Sequence, residues 1–74
     1  MIDLHDIIQE AVSKNVDIDI SACRNFNDGI TYIITLYDNS KPIYESERLS
    51  YFLRESLIID EYRKLYQFLV KYEN

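Results

Sequence analysis

The chain has 74 residues, 47% apolar and 28% charged, with 13 acids against 8 bases and a net charge of −5. That length makes one domain (1–74) with a thin core, because a chain this short buries only about 60% of its unfolded surface. One Gly, one Pro and ten aromatics, seven of them Tyr, argue against disorder, and the lone Cys23 excludes an internal disulfide. With no basic leader before Lys14 and no apolar run longer than three residues, the composition points to a reducing cytoplasm and excludes a transmembrane helix. The charge is uneven: residues 1–47 hold nine acids and three bases, and residues 48–74 hold four acids and five bases. Such a field disfavours nucleic acid and anionic membranes and attracts basic surfaces.

Residues 3–14 read as an amphipathic helix, with Leu4, Ile7, Ile8, Ala11 and Val12 at helical spacing. Asp3 is placed to cap it, Asp6 sits in the first turn, and Asn15 is a stop. Residues 16–22 alternate, with Val16, Ile18, Ile20 and Ala22 on one face and Asp17, Asp19 and Ser21 on the other. Asn27-Asp28-Gly29 predicts a reversal. Residues 30–37 are rich in β-branched and aromatic side chains, as expected of a central strand. Asp38 to Lys41 is a second turn, and Pro42 confines 42–46 to an edge strand.

Ser46 has the chemistry of an N-cap for a helix starting at Glu47. Its apolar stripe, Leu49, Phe52, Leu53 and Leu57, gives way to a second stripe, Ile58, Tyr62, Leu65, Leu69 and Tyr72. The phase change favours a break near Ile58–Asp60, with Asp60 capping a second helix, over the alternative of one long helix that buries different faces along its length. The order is then α-β-β-β-α-α, an α+β fold with a three-stranded antiparallel sheet and helices packed on one face.

Chemistry finds little footing. His5 is the only histidine and falls on a polar helix side. Cys23 has no CxxC partner and reads as a small buried side chain at a strand end. A single Gly excludes a phosphate loop. Asp17 and Asp19 lack the oxygen-rich loop of a calcium site. No enzyme, cofactor or metal is expected. The basic residues Arg54, Arg63, Lys64 and Lys71 lie among Tyr51, Tyr62, Tyr66 and Tyr72, but Glu55, Asp60, Glu61 and Glu73 neutralise most of their charge, so direct nucleic-acid binding is not expected.

Protein–protein recognition remains. Exposed carboxylates along a strand and its turns can engage Arg and Lys clusters that normally hold phosphates, which is the physical content of DNA mimicry. Over roughly residues 4–46 the chain resembles the small acidic anti-CRISPR proteins of Listeria prophages that inhibit type II-A Cas9. The residues that carry the likeness are His5-Asp6-Ile7-Ile8-Gln9-Glu10, Lys14 through Ser21, Ile30-Thr31 through Tyr37, and the turn and strand ending at Tyr44. The resemblance implies the same α-β-β-β-α-α order and an acidic plug for the PAM-reading site of the Cas9–guide RNA complex, with the turn between the second and third strands taking part. The chain departs from that family at Asn15, where the family has an acid, and at Asp38-Asn39-Ser40-Lys41, which lacks an Asp-Gly pair and adds a base. The C-terminal third shows no match.

The expected partner-binding residues are Asp17, Asp19, Asp38, Asn39 and Glu45, facing a protein with a basic surface. The alternative is a small structural or adaptor protein that forms a homodimer through Tyr62, Leu65, Tyr66, Leu69 and Tyr72 of its tyrosine-rich C-terminal helix.

Overall fold

The computed structural model describes residues 1–25, 29–50 and 55–73. The elements follow in the order α1 (Leu4–Ser13), β1 (Asp17–Asn25), β2 (Gly29–Asp38), β3 (Lys41–Glu45), β4 (Leu49–Ser50) and α2 (Glu55–Lys71). The α+β class expected from the pattern is the class observed.

Helix α1 begins where its sequence places the cap. The Asp3 carboxylate accepts the Asp6 N–H at 3.0 Å, and the Asp6 carboxylate accepts the Asp3 N–H at 3.0 Å. This reciprocal pair satisfies two amides that the helix itself leaves unpaired. The helix ends in a Schellman motif on Asn15, which takes φ 56°. The Asn15 N–H donates to the Val12 carbonyl at 3.2 Å and the Val16 N–H to the Ala11 carbonyl at 2.9 Å. Asn tolerates the left-handed conformation better than any other non-Gly residue. Ala11 and Val16 are both buried, so the motif also closes the apolar contact that usually accompanies it.

Strand β2 is central. β1 pairs with it antiparallel from Asp17↔Tyr37 to Asn25↔Gly29, so β1 runs three residues past the predicted end at 22. Of the predicted Asn27-Asp28-Gly29 reversal, only Gly29, at φ 69°, lies within the described residues. On the other edge β3 pairs from Thr35↔Glu45 to Asp38↔Lys41, with a bulge that accommodates Ile43. The β2–β3 hairpin turns on Asn39 and Ser40, both at positive φ (52° and 67°), the two-residue geometry whose twist matches that of the flanking strands.

β4 also pairs with β2, through Tyr32↔Leu49 and Thr31↔Ser50. Because β1 already occupies the opposite edge of β2 over these residues, β4 continues the line of β3 after an interruption at Glu47–Arg48. The expected three-stranded sheet thus becomes a four-stranded one whose last two strands share an edge.

Two predicted details are corrected. Ser46 does not cap a helix. Its N–H donates to the Ile34 carbonyl at 2.8 Å and its Oγ accepts the Ile34 N–H at 2.9 Å, which keeps the chain on the sheet. The break at Ile58–Asp60 is also absent: α2 runs unbroken from Glu55 to Lys71. The change of apolar phase is real, but it marks a change of element. Leu49 belongs to β4 and enters the core from there, Leu57 is exposed, and α2 faces the core through the stripe of Ile58, Tyr62, Leu65 and Leu69, which Tyr72 continues. Asp60 is an exposed mid-helix residue 3.4 Å from Arg63. Phe52 and Leu53 lie outside the described residues.

Both helices pack on one sheet face, around Ile7, Ala11, Val16, Ile34, Leu36, Leu49, Leu65 and Leu69. The end of α2 is tied to α1 by Lys14, whose Nζ donates to the Val70 and Tyr72 carbonyls at 3.3 and 3.0 Å. A cation there meets the carbonyls that a helix C-terminus leaves without intrahelical donors.

Candidate protein-binding surface

Alternation along the strands sorts the candidate residues. Ile18, Ile20 and Ala22 pair with Leu36, Ile34 and Tyr32 and share the helix-covered side. Asp17, Asp19, Ser21 and Cys23 pair with Tyr37, Thr35, Ile33 and Thr31 and share the opposite side. Glu45 pairs with Thr35 on the other edge, so Asp19, Thr35 and Glu45 form one row across three strands. Adjacent strands lie about 4.8 Å apart, which sets the two carboxylate-bearing positions on the order of 10 Å from each other. Asp17 stands two residues along from Asp19, about 7 Å away.

All three acids are exposed, and the paired strand positions described on this side include no basic residue. Thr35 and Tyr37 between them are half-buried. The face closes toward its other end, where Thr31 and Ser50 are buried. The open part is therefore a small platform of hydroxyls flanked by carboxylates. It suits guanidinium and ammonium groups, which donate several hydrogen bonds and carry the opposite charge.

The other two expected residues sit apart from this platform. Asn39 is exposed at the tip of the β2–β3 turn. Asp38 falls on the helix side, where its Oδ2 accepts a 2.6 Å hydrogen bond from the Tyr72 hydroxyl. That hydrogen bond pushes the Tyr72 pKa above its ordinary value, because the neutral phenol is the form that donates to a carboxylate. Tyr72 also stacks on Phe68 at 5.6 Å, and Phe68 packs on Tyr44 at 4.9 Å. Burial, followed by the nearby charges of Glu61 and Glu47, raises the Tyr44 pKa as well.

Most of the tyrosine-rich helix is engaged within its own chain. Leu65 and Leu69 are fully buried, and Tyr62, Tyr66 and Tyr72 pack half-buried against the core. Tyr62 also meets the Tyr32 hydroxyl at 3.1 Å. Pattern reading missed Glu61, which is buried. Its Oε1 accepts the Glu47 N–H at 3.0 Å and its Oε2 lies 3.7 Å from Lys64. It thereby fastens the interruption between β3 and β4 to α2. Its spacing, three after Ile58 and four before Leu65, is the signal that it lies on the inward face.

Cys23 is exposed, not buried as expected. It lies on the side of the sheet opposite α1, which carries His5, so the two are not brought together as a nucleophile and base. Among the described residues no group of His, Cys, Asp and Glu is arranged to hold a metal ion, and no helix is long and apolar enough to cross a membrane.

Fold and surface together define a small α+β domain whose uncovered sheet face is acidic. Comparisons with protein-family models, curated proteins and solved structures found no match.

Proposed function

We propose that this chain is a non-catalytic inhibitor, carried by a phage or other mobile element, that binds a basic nucleic-acid-handling protein in the cytoplasm of a bacterial host. The observation that supports this reading is the row of Asp19, Thr35 and Glu45, with Asp17 beside it, on an uncovered sheet face. A surface built to hold DNA presents Arg and Lys side chains, and carboxylates at strand spacing replace the phosphates those side chains would otherwise contact. The Cas9–guide RNA complex is the candidate partner. It is named by the resemblance over residues 4–46, and its PAM-reading site is built on paired arginines.

In this reading Asp17, Asp19 and Glu45 accept hydrogen bonds from the partner's bases, and Asn39 reaches the partner from the turn tip. Tyr72 holds Asp38 through Oδ2, leaving Oδ1 as the acceptor for the partner. The net charge of −5 accelerates the encounter with a basic surface, an effect that salt screens.

The test is capture of the Cas9–guide RNA complex by this protein at low and high salt, in the presence and absence of PAM-containing duplex. The expected result is salt-sensitive capture that the duplex competes away, and a drop of at least about tenfold in affinity for Asp17→Lys combined with Asp19→Lys. Absence of salt-sensitive capture overturns Cas9 as the partner. Unchanged affinity in the charge-reversed protein overturns the sheet face as the contact.

A further inference from the structure

The acidic face borders a second feature. β1 forms one edge of the sheet, with β2 on its inner side and no described strand on its outer side. Every second residue of an edge strand turns its N–H and C=O outward, where another strand can pair with them. From Asp19 to Arg24 the strand is exposed on both faces. On the helix side Ile20 and Ile30 remain 45% and 50% exposed. A cleft of about 370 Å³ opens there between Leu4, Ile20, Ala22, Ile30, Tyr32 and Tyr62. The helices therefore leave apolar sheet surface uncovered beside an edge with which no described strand pairs, while the other side of the same strand carries Asp17 and Asp19.

We infer that the β1 edge accepts an extended segment of the partner protein as an added strand, one in which basic and apolar side chains alternate. This rests on the reading of the acidic face as a protein-binding surface and specifies how that surface is engaged. Alternation follows from strand geometry. Side chains on one face of the added strand meet Asp17 and Asp19, and those on the other cover Ile20 and Ala22 and enter the cleft. Charge selects a foreign strand over a second copy: two β1 strands side by side bring four aspartates to one face, whereas lysines or arginines opposite Asp17 and Asp19 form cross-strand pairs of opposite charge.

The test uses a synthetic probe, the capped peptide Thr-Lys-Val-Lys-Val-Lys-Val-Thr, and a control of identical composition with its lysines and valines in separate blocks. Backbone amide exchange of the isotope-labelled protein is followed by NMR at saturating peptide. The expected result is slowing by about tenfold or more at alternate β1 amides between Ile18 and Arg24 with the alternating peptide only. Binding should weaken about tenfold in Asp17→Lys/Asp19→Lys and measurably in Ile20→Lys.

Shifts confined to the acidic face, without slowed β1 amides, overturn strand addition and leave the acidic-face reading standing. Equal effects of the two peptides, or no binding of either, also overturn it. Slowing at β1 that grows with protein concentration in the absence of peptide assigns the edge to a second copy and overturns the foreign strand. Failure of Cas9 capture with peptide-induced β1 protection intact overturns the proposed target alone.

Discussion

The Tyr72 hydroxyl donates a 2.6 Å hydrogen bond to Asp38 Oδ2, joining the first residue after α2 to the mouth of the β2–β3 turn. The contact lies between segments 34 residues apart and couples a candidate binding loop to the helical layer.

Its pH dependence has a definite sign. The folded-state pKa of Tyr72 is raised above the ordinary tyrosine value of 10.0, and that of Tyr44 is raised as well. Stability from these groups is therefore fully present below about pH 10 and is lost as pH rises through their folded-state values. Urea unfolding measured across alkaline pH should show the midpoint falling in that window. Tyr72→Phe should lower the midpoint at neutral pH and flatten its alkaline dependence. An alkaline profile identical to that of the unaltered protein would show that Tyr72 and Asp38 are not coupled in solution.

Ser46 is a second long-range fastening. Its Oγ accepts the N–H of Ile34, a residue with no exposed surface. Ser46→Ala leaves that buried donor without its acceptor, a loss worth about 1–3 kcal/mol. In a domain whose total stability is on the order of 4–11 kcal/mol by length, this should appear as a clear drop in the urea midpoint. Faster amide exchange at Ile34 should accompany it.

Asn15 separates backbone conformation from side-chain contact. At φ 56° a Cβ-bearing residue without a short polar side chain is disfavoured by roughly 1–2 kcal/mol. Asn15→Ala should thus destabilise by about 1 kcal/mol, and Asn15→Gly should be neutral or slightly stabilising. Thermal unfolding of the pair decides this: equal losses in both would point to the asparagine side chain instead of its backbone.

Short-range patterns in the sequence carried α1 with both its caps, the alternation of β1, the central position of β2 and the edge character of β3. Each depends on periodicity or turn chemistry within about ten residues, and local sterics decide such features. The same alternation put Asp17 and Asp19 on one face, and the pairing of β3 added Glu45 to it. Asp38 could not be assigned this way, because its partner, Tyr72, lies at the other end of the chain.

Residues 46–60 show where local reading stops. Ser46 has the chemistry of a helix cap, and Leu49, Leu57 and their neighbours have helical spacing. The open edge of β2 nevertheless offered the chain further strand pairing, and the buried N–H of Ile34 and the carboxylate of Glu61 held it there. The sequence by itself determined the α+β class and the acidic side of β1. Only the tertiary structure decided that the third strand resumes as β4, that α2 is a single helix, that Glu61 is buried, and that β1 stands as an exposed edge. Those outcomes depend on hydrogen-bonding groups and apolar surfaces brought together from distant parts of the chain, which no window of neighbouring residues contains.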